Sequence, residues 1–280
     1  MDIYRIPIGE SIEAGIDFFV EHFSFATKAF SEVTEAGIDI LVGVMMYPPP
    51  WVIILIITGL AWFLSKRHGV AIFTILGLGL IWNMNLWAPT VSTIALIVIA
   101  TLIAIIIGIP LGIFAALSQI FYRIITPILD FMQTMPAFVY LIPAIPFFGL
   151  GAVGAIFSTV IFSVPPCIRL TCLGIRQVPI ELVEAADAFG SSKSQKLFKV
   201  QLPIATTTIM AGINQTVMLA LSMVVIAAMI GAKGLGGEVW KAIQRLEPGR
   251  GFEAGIGIVI VAIILDRVLQ QVGGGKKKEQ

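Results

Sequence analysis

Residues 181–203 read ELVEAADAFGSSKSQKLFKVQLP, a polar, charged stretch set between long apolar runs. Its make-up is that of a docking surface, not of a site of chemistry. Pro179 suits the first turn of a helix, where its missing N–H leaves no bond unmade, and Glu181 and Glu184 follow where the helix dipole favours negative charge. A short helix is therefore expected to start near Pro179. Gly190 can take the left-handed conformation that ends such a helix, and Ser191 or Ser192 can cap a second one through Lys193, Lys196 and Lys199. The expected unit is a helix, a sharp turn and another helix. Ala185 and Ala186 add no bulk, so a partner's surface can approach the first helix closely.

The surroundings of this segment set the class. With 58% hydrophobic and 12% charged residues the chain is too apolar for a soluble domain and reads as an integral membrane protein. A formal net charge of +1 gives no basis for nucleic-acid binding. Cys167 and Cys172, five apart in an expected helix, do not face each other as a disulfide requires and read as packing residues. Residues 1–21 lack the apolar core of a cleavable signal peptide.

Seven apolar stretches approach the roughly 20 residues that a helix needs to cross the hydrocarbon. They lie at 50–65, 70–87, 91–117, 124–149, 152–172, 203–231 and 253–269. The first is short, and either borrows from 41–47 or sits tilted. Pro110 is expected to kink the third. The fourth holds Pro127, Pro136, Pro143 and Pro146, which predicts a broken or bent helix. The expected organisation is an amphipathic, extracytoplasmic or interfacial segment at 1–48, a transmembrane domain at 49–270 with a polar loop at 174–202, and a flexible basic cytoplasmic tail at 271–280. Ile12, Ile16, Phe19 and Phe23 form the apolar stripe of the N-terminal helix, which is expected against the outside of the bundle. If 181–203 is cytoplasmic, most Lys and Arg fall on the same side, the N-terminus lies outside and the C-terminus inside. Lys233, Lys241, Arg245 and Arg250 cluster on the other side and oppose the scheme mildly.

The skeleton Glu184-Ala185-Ala186, Gly190, Val200, Leu202-Pro203 resembles the EAA signature of permease subunits in bacterial ABC importers, with Val200 where Ile is commoner. Three further stretches, QTMPAFVYLIPAIPFFGLG (133–151), VPPCIRLTCLGIRQVP (164–179) and GINQTVMLALSMVVIAAMIGAKGLG (212–236), resemble the permeases of glycine betaine/proline osmoprotectant importers. The likeness extends from about 40 to 270. It implies an all-α, polytopic type I importer fold in which 181–203 is the coupling helix seated in an ATPase groove. It also implies a homodimer of this subunit, two cytoplasmic ATPase subunits, and a separate extracytoplasmic glycine betaine-binding protein. No stretch resembles G-x-x-x-x-G-K-[ST], so ATP and Mg²⁺ belong to the ATPase and this chain is expected to bind no cofactor or metal. His22 and His68 stand apart and read as surface residues.

Asn214 and Gln215 fall near the middle of the sixth span, with Ser222 two turns beyond Gln215 on the same face. All three are candidates for the solute pathway, although hydrogen bonding between helices is the first reading of such residues. Phe138 and Tyr140, with Phe147 and Phe148, can offer aromatic faces to a quaternary ammonium, although such residues in membrane helices are mostly packing. Asp130 is expected to pair with Arg169 or Arg123. Choline, carnitine or proline remain alternative solutes on the same scaffold. A self-sufficient channel or secondary transporter is the rival class.

Overall fold

The computed structural model describes residues 7–273; the basic run 276–278 and Arg5 lie outside them. Thirteen α-helices follow in order: α1 Ile8–His22, α2 Ser24–Met46, α3 Pro50–Ser65, α4 His68–Asn83, α5 Trp87–Leu117, α6 Gln119–Thr134, α7 Leu141–Phe148, α8 Ala152–Arg176, α9 Ile180–Ala188, α10 Lys193–Lys196, α11 Leu202–Ala227, α12 Leu235–Arg245 and α13 Pro248–Gly273. The seven apolar stretches correspond to α3, α4, α5, α6 with α7, α8, α11 and α13. Trp87–Leu117, Ala152–Arg176 and Lys193–Ile230 are each long and apolar enough to cross a membrane alone.

The prolines of the fourth stretch act as their chemistry demands. Pro136 ends α6, a 3₁₀ turn Ala137–Tyr140 follows, and the chain turns through 110°. Residues 41–47 do not lengthen the first span: they close α2, which meets α3 at 103°. Pro49 and Pro50 make that corner, with Pro50 at the helix start, where no N–H is needed.

The N-terminal segment holds two helices rather than one. α2 carries Lys28, Glu32, Glu35 and Asp39 along one side, and on the other Phe30, Ile38 and Leu41 pack on the main core. Phe30 also meets Phe148, at a ring-centroid separation of 5.2 Å, while Phe148 lies 4.7 Å from Phe157. The aromatics of α7 thus help to dock α2 and α8. Ile12 and Phe19 of α1 and Phe23 at its end stay exposed, and Ile12 and Ile16 share a recess with Ile142 and Pro146 of α7.

The centre of the molecule is α8, held between α5 and α11. Small residues let the backbones meet. A Cβ on Gly108 would lie 2.8 Å from the Cys167 side chain, and one on Gly212 would lie 2.9 Å from Leu170 Cβ. At Gly112 a Cβ would sit 2.6 Å from Thr171 Cβ and 2.7 Å from the Ile168 carbonyl oxygen. Between helices in lipid, where apolar burial gives little drive, such close contact supplies the attraction. Gly112→Ala is therefore expected to destabilise the α5–α8 pair by about 1–3 kcal/mol. Gly79→Ala, at a site with nothing within 4 Å, should be neutral or mildly stabilising. Thermal unfolding of the two variants in detergent checks both outcomes.

Candidate functional site: a knuckle and an open helix face

The polar segment folds as its residues direct. α9 starts after Pro179 and stops at Ala188, and Gly190 takes φ +75°, a left-handed conformation that a β-carbon would strain. Its N–H donates to the Asp187 carbonyl at 2.9 Å, and Ser191 N–H donates to the Ala186 carbonyl at 3.0 Å. Ser192 then caps α10: its hydroxyl accepts from Gln195 N–H, and the Gln195 side chain accepts from Ser192 N–H. Lys196 Nζ donates to both carboxylate oxygens of Asp187 at 2.7 Å, tying the two short helices together.

Two of the motif's residues behave differently from each other. Ala185 is exposed, whereas Ala186 is 9% exposed and packs into the knuckle. Ala186 therefore holds the turn closed, and only Ala185 leaves backbone open to a partner. Glu184 and Gly190 are exposed. Phe189, beside the turn, is 91% exposed, and Ile180 and Leu182 add further apolar surface.

Behind the exposed face the knuckle is anchored. Leu197 packs with Ile175 of α8 and with Ala205 and Ile209 of α11, and Leu202 lies against this group. α10 runs on through a π-helical turn, Leu197–Gln201, that contains Val200 and leads directly into α11. Pro203 cannot donate to a carbonyl four residues back, and the wider turn before it accommodates that loss. The second half of the knuckle and α11 are thus one rod, Lys193–Ile230. Alongside it, Arg176 closes the same end. Its guanidinium lies 3.9 Å from the Tyr122 ring centroid and donates to the Ala115 carbonyl at 2.9 Å. Arg169 pairs with Asp130, as charge complementarity suggests.

α11 is buried on most sides but leaves one face open. Ile204, Ala211, Gln215, Met218 and Ser222 are exposed and recur every three, four or seven residues, one line along the helix that Met229 extends in the 3₁₀ turn Ala228–Ile230 after it. Two pathway candidates, Gln215 and Ser222, lie on it. The Ser222 hydroxyl donates to the Met218 carbonyl at 3.1 Å, so its own helix satisfies it. Asn214 turns the other way. Its amide donates at 3.0 Å to Asp266 of α13, which also accepts from Gln270 at 2.8 Å, a polar bridge between α11 and α13. Phe138, at the break after α6, is 58% exposed, whereas Tyr140 is 4% exposed, with its hydroxyl donating to the Met132 carbonyl.

Residues 108–272, which contain the knuckle, the rod and the open face, match the binding-protein-dependent transport system inner membrane component family. The chain belongs to that family. Members with similar sequences are the glycine betaine transport system permease protein OpuAB of Bacillus subtilis, 50% identical over 98% of this chain and 96% of its own, and the glycine betaine/carnitine transport permease protein GbuB of Listeria monocytogenes, 50% identical over 99% of each. The glycine betaine/proline betaine transport system permease protein ProW of Escherichia coli is 46% identical over 96% of this chain and 75% of its own. Among solved structures, the inward-facing MetNI methionine ABC transporter contains a chain with the same fold, at TM-score 0.57 and 21% identity, covering 65% of this chain and 89% of that one. The chain is accordingly an all-helical membrane permease.

For this family member, sequence reasoning passed over Asp187, Phe189 and Asp266. Asp187 and Lys196 stand nine apart across the turn, beyond any single-helix spacing rule, and the partner of Asp266 is 52 residues away. Replacing Asp266 with Leu removes the acceptor of two amides. A loss of about 0.6–2 kcal/mol in stability is expected from thermal unfolding in detergent, with Asp266→Asn closer to wild type.

Proposed function

We propose that this chain is the permease subunit of an ATP-driven importer whose two copies form the passage for glycine betaine or a related quaternary-ammonium osmoprotectant. The observation that carries the reading is the unbroken rod from the knuckle into α11. A partner that grips α9 moves α10, the π turn and the open face of α11 together, so closure and reopening of an ATPase dimer become alternating access. Glu184, Ala185, Phe189 and Gly190 form the ATPase contact. Ala186, Val200, Leu202 and Pro203 hold that contact on the rod. ATP and Mg²⁺ stay on the ATPase, and a separate binding protein delivers the solute to the opposite end.

The knuckle lies on the cytoplasmic side in this reading, with the N-terminus outside and the C-terminus inside. Gln215 and Ser222 face the passage, because an exposed line carrying an amide and a hydroxyl suits water or a second copy better than lipid. Phe138 stands beside it, Tyr140 supports it from the core, and Asn214 joins α11 to α13. The solute class follows the three relatives, all of whose names include glycine betaine; carnitine is the second reading, from the Listeria relative.

Gly190→Val and Phe189→Asp should each abolish betaine uptake in cells while leaving the chain in the membrane. The ATPase should no longer co-purify with either variant, and its retention with both would remove the docking role. Vesicles holding the wild-type chain alone should show no betaine flux. Measurable flux there would favour a channel or secondary transporter.

A further inference from the structure

At the end of α11 away from the knuckle lies a cavity of about 690 Å³. The 26 residues of α11 place it roughly 39 Å from Leu202 at 1.5 Å per residue. One wall is α12, which turns Gly237, Trp240, Lys241 and Gln244 toward the space at helical spacing. The lining also includes Ser92 of α5 and Met229 of the 3₁₀ turn after α11, which extends the open line of that helix. The cavity therefore continues that line rather than standing apart from it.

The walls are fixed. Leu235 N–H donates at 2.8 Å to the Thr93 hydroxyl, which strapped this way holds the start of α12 to α5. A Cβ on Gly236 would lie 2.7 Å from Val225 Cα, so α12 also sits directly on α11. Gly151 N–H donates to the Ile230 carbonyl at 2.8 Å and sets the rim at Leu150.

Its chemistry is specific. Glu238 and Lys241 form an ion pair at 2.8 Å, and Lys233 and the Trp240 indole line the same space. A quaternary ammonium has no N–H to donate and is held by an aromatic face and a nearby carboxylate. A carboxylate is held by ammonium groups. A small molecule carrying both groups matches this set end for end, whereas the larger groove between α12 and α13, lined by residues such as Phe252, Ile256 and Val259, offers a zwitterion almost nothing polar.

We infer that this cavity is the receiving site of the permease, where Trp240 and Glu238 take the quaternary ammonium and Lys241 and Lys233 the carboxylate of the incoming solute. The inference rests on the permease reading above and adds the place and chemistry of first contact. The site is weak by construction, since Glu238 is already paired and the cavity is open; a site that must pass its solute on to the α11 face needs that weakness.

The test labels the far wall. Both native cysteines are buried, so Ser92→Cys supplies the accessible thiol. The full chain, expressed with its partner subunits, is treated in open membrane fragments with two methanethiosulfonates, one bearing a trimethylammonium and one a sulfonate. Glycine betaine should slow the trimethylammonium reagent. Adding Trp240→Ala should lower the rate of that reagent about tenfold. Trp240→Phe should retain most of it, and the sulfonate rate should not change. An unchanged rate ratio in Trp240→Ala, or no protection by betaine, overturns the site and leaves Trp240 as a membrane-interface anchor. Equal changes in both rates overturn it too, because the indole would then only shape the opening. Labelling needs neither ATP nor uptake, so it can fail while the uptake tests of the permease reading succeed, and the reverse.

Discussion

Close approach of three backbones organises this molecule. α8 touches α5 through Gly108 and Gly112 and touches α11 through Gly174 and Gly212, and at each point a single added carbon would meet its neighbour at 3.0 Å or less. In lipid, neighbouring helices gain little from excluding water, and van der Waals contact over an intimate interface is what favours one arrangement. Ser158 and Thr159 of α8 return their hydroxyls to carbonyls of their own helix, whereas the buried hydroxyls of Thr101, Ser163, Thr171 and Thr216 along the same seam have no hydrogen-bond partner among the described residues. The knuckle at one end, the polar bridge to α13 at its side and α12 at the other end are all mounted on this triple contact.

Rigidity is distributed unevenly, and that distribution suits a part that transmits motion. The knuckle is crossed by an ion pair, a capping box and a left-handed glycine within fifteen residues, and it grows without a break into α11. By contrast the fourth span is broken outright at Pro136, and its second half leans on an aromatic cluster shared with α2. One side of the bundle is a rod, the other a jointed strut. A force applied at α9 has a stiff route along α11 and a softer set of neighbours around it.

Much of this was written legibly in the sequence, and the failures have physical reasons. The start of α9 after Pro179, the turn at Gly190, a cap at Ser191 or Ser192 and a break somewhere among the prolines of the fourth span are local events, decided within a few residues and legible in the string. Charge economy inside apolar segments narrows the partner of Asp130 to Arg169 or Arg123, and the structure selects Arg169. What escaped notice depended on distant partners or on which side of a helix faces inward. Ala185 and Ala186 look alike in a string, and only the packing of the knuckle exposes one and buries the other. α2 was hidden because four charges lower its apolarity, although Lys28, Glu32, Glu35 and Asp39 fall on a single side. α12 read as a loop because its short amphipathic pattern sits among glycines, and the basic residues that opposed the topology scheme belong to it and its surroundings, Lys241 and Arg250 each beside a glutamate. Tyr140 looked available from its position in a proline-rich run, and the 3₁₀ turn rotates it into the core.

The line of exposed residues on α11 has one more implication, for how such a chain can change over time. Each residue turns a helix by about 100°, so inserting or deleting one between Ile204 and Met229 would swing the upper half of that line away from the lower. Replacements along α11 alter the exposed line one position at a time, but its length is locked to the phase that connects its two ends. Variation in size belongs to the corners, such as the one between α2 and α3, where no such phase has to be kept.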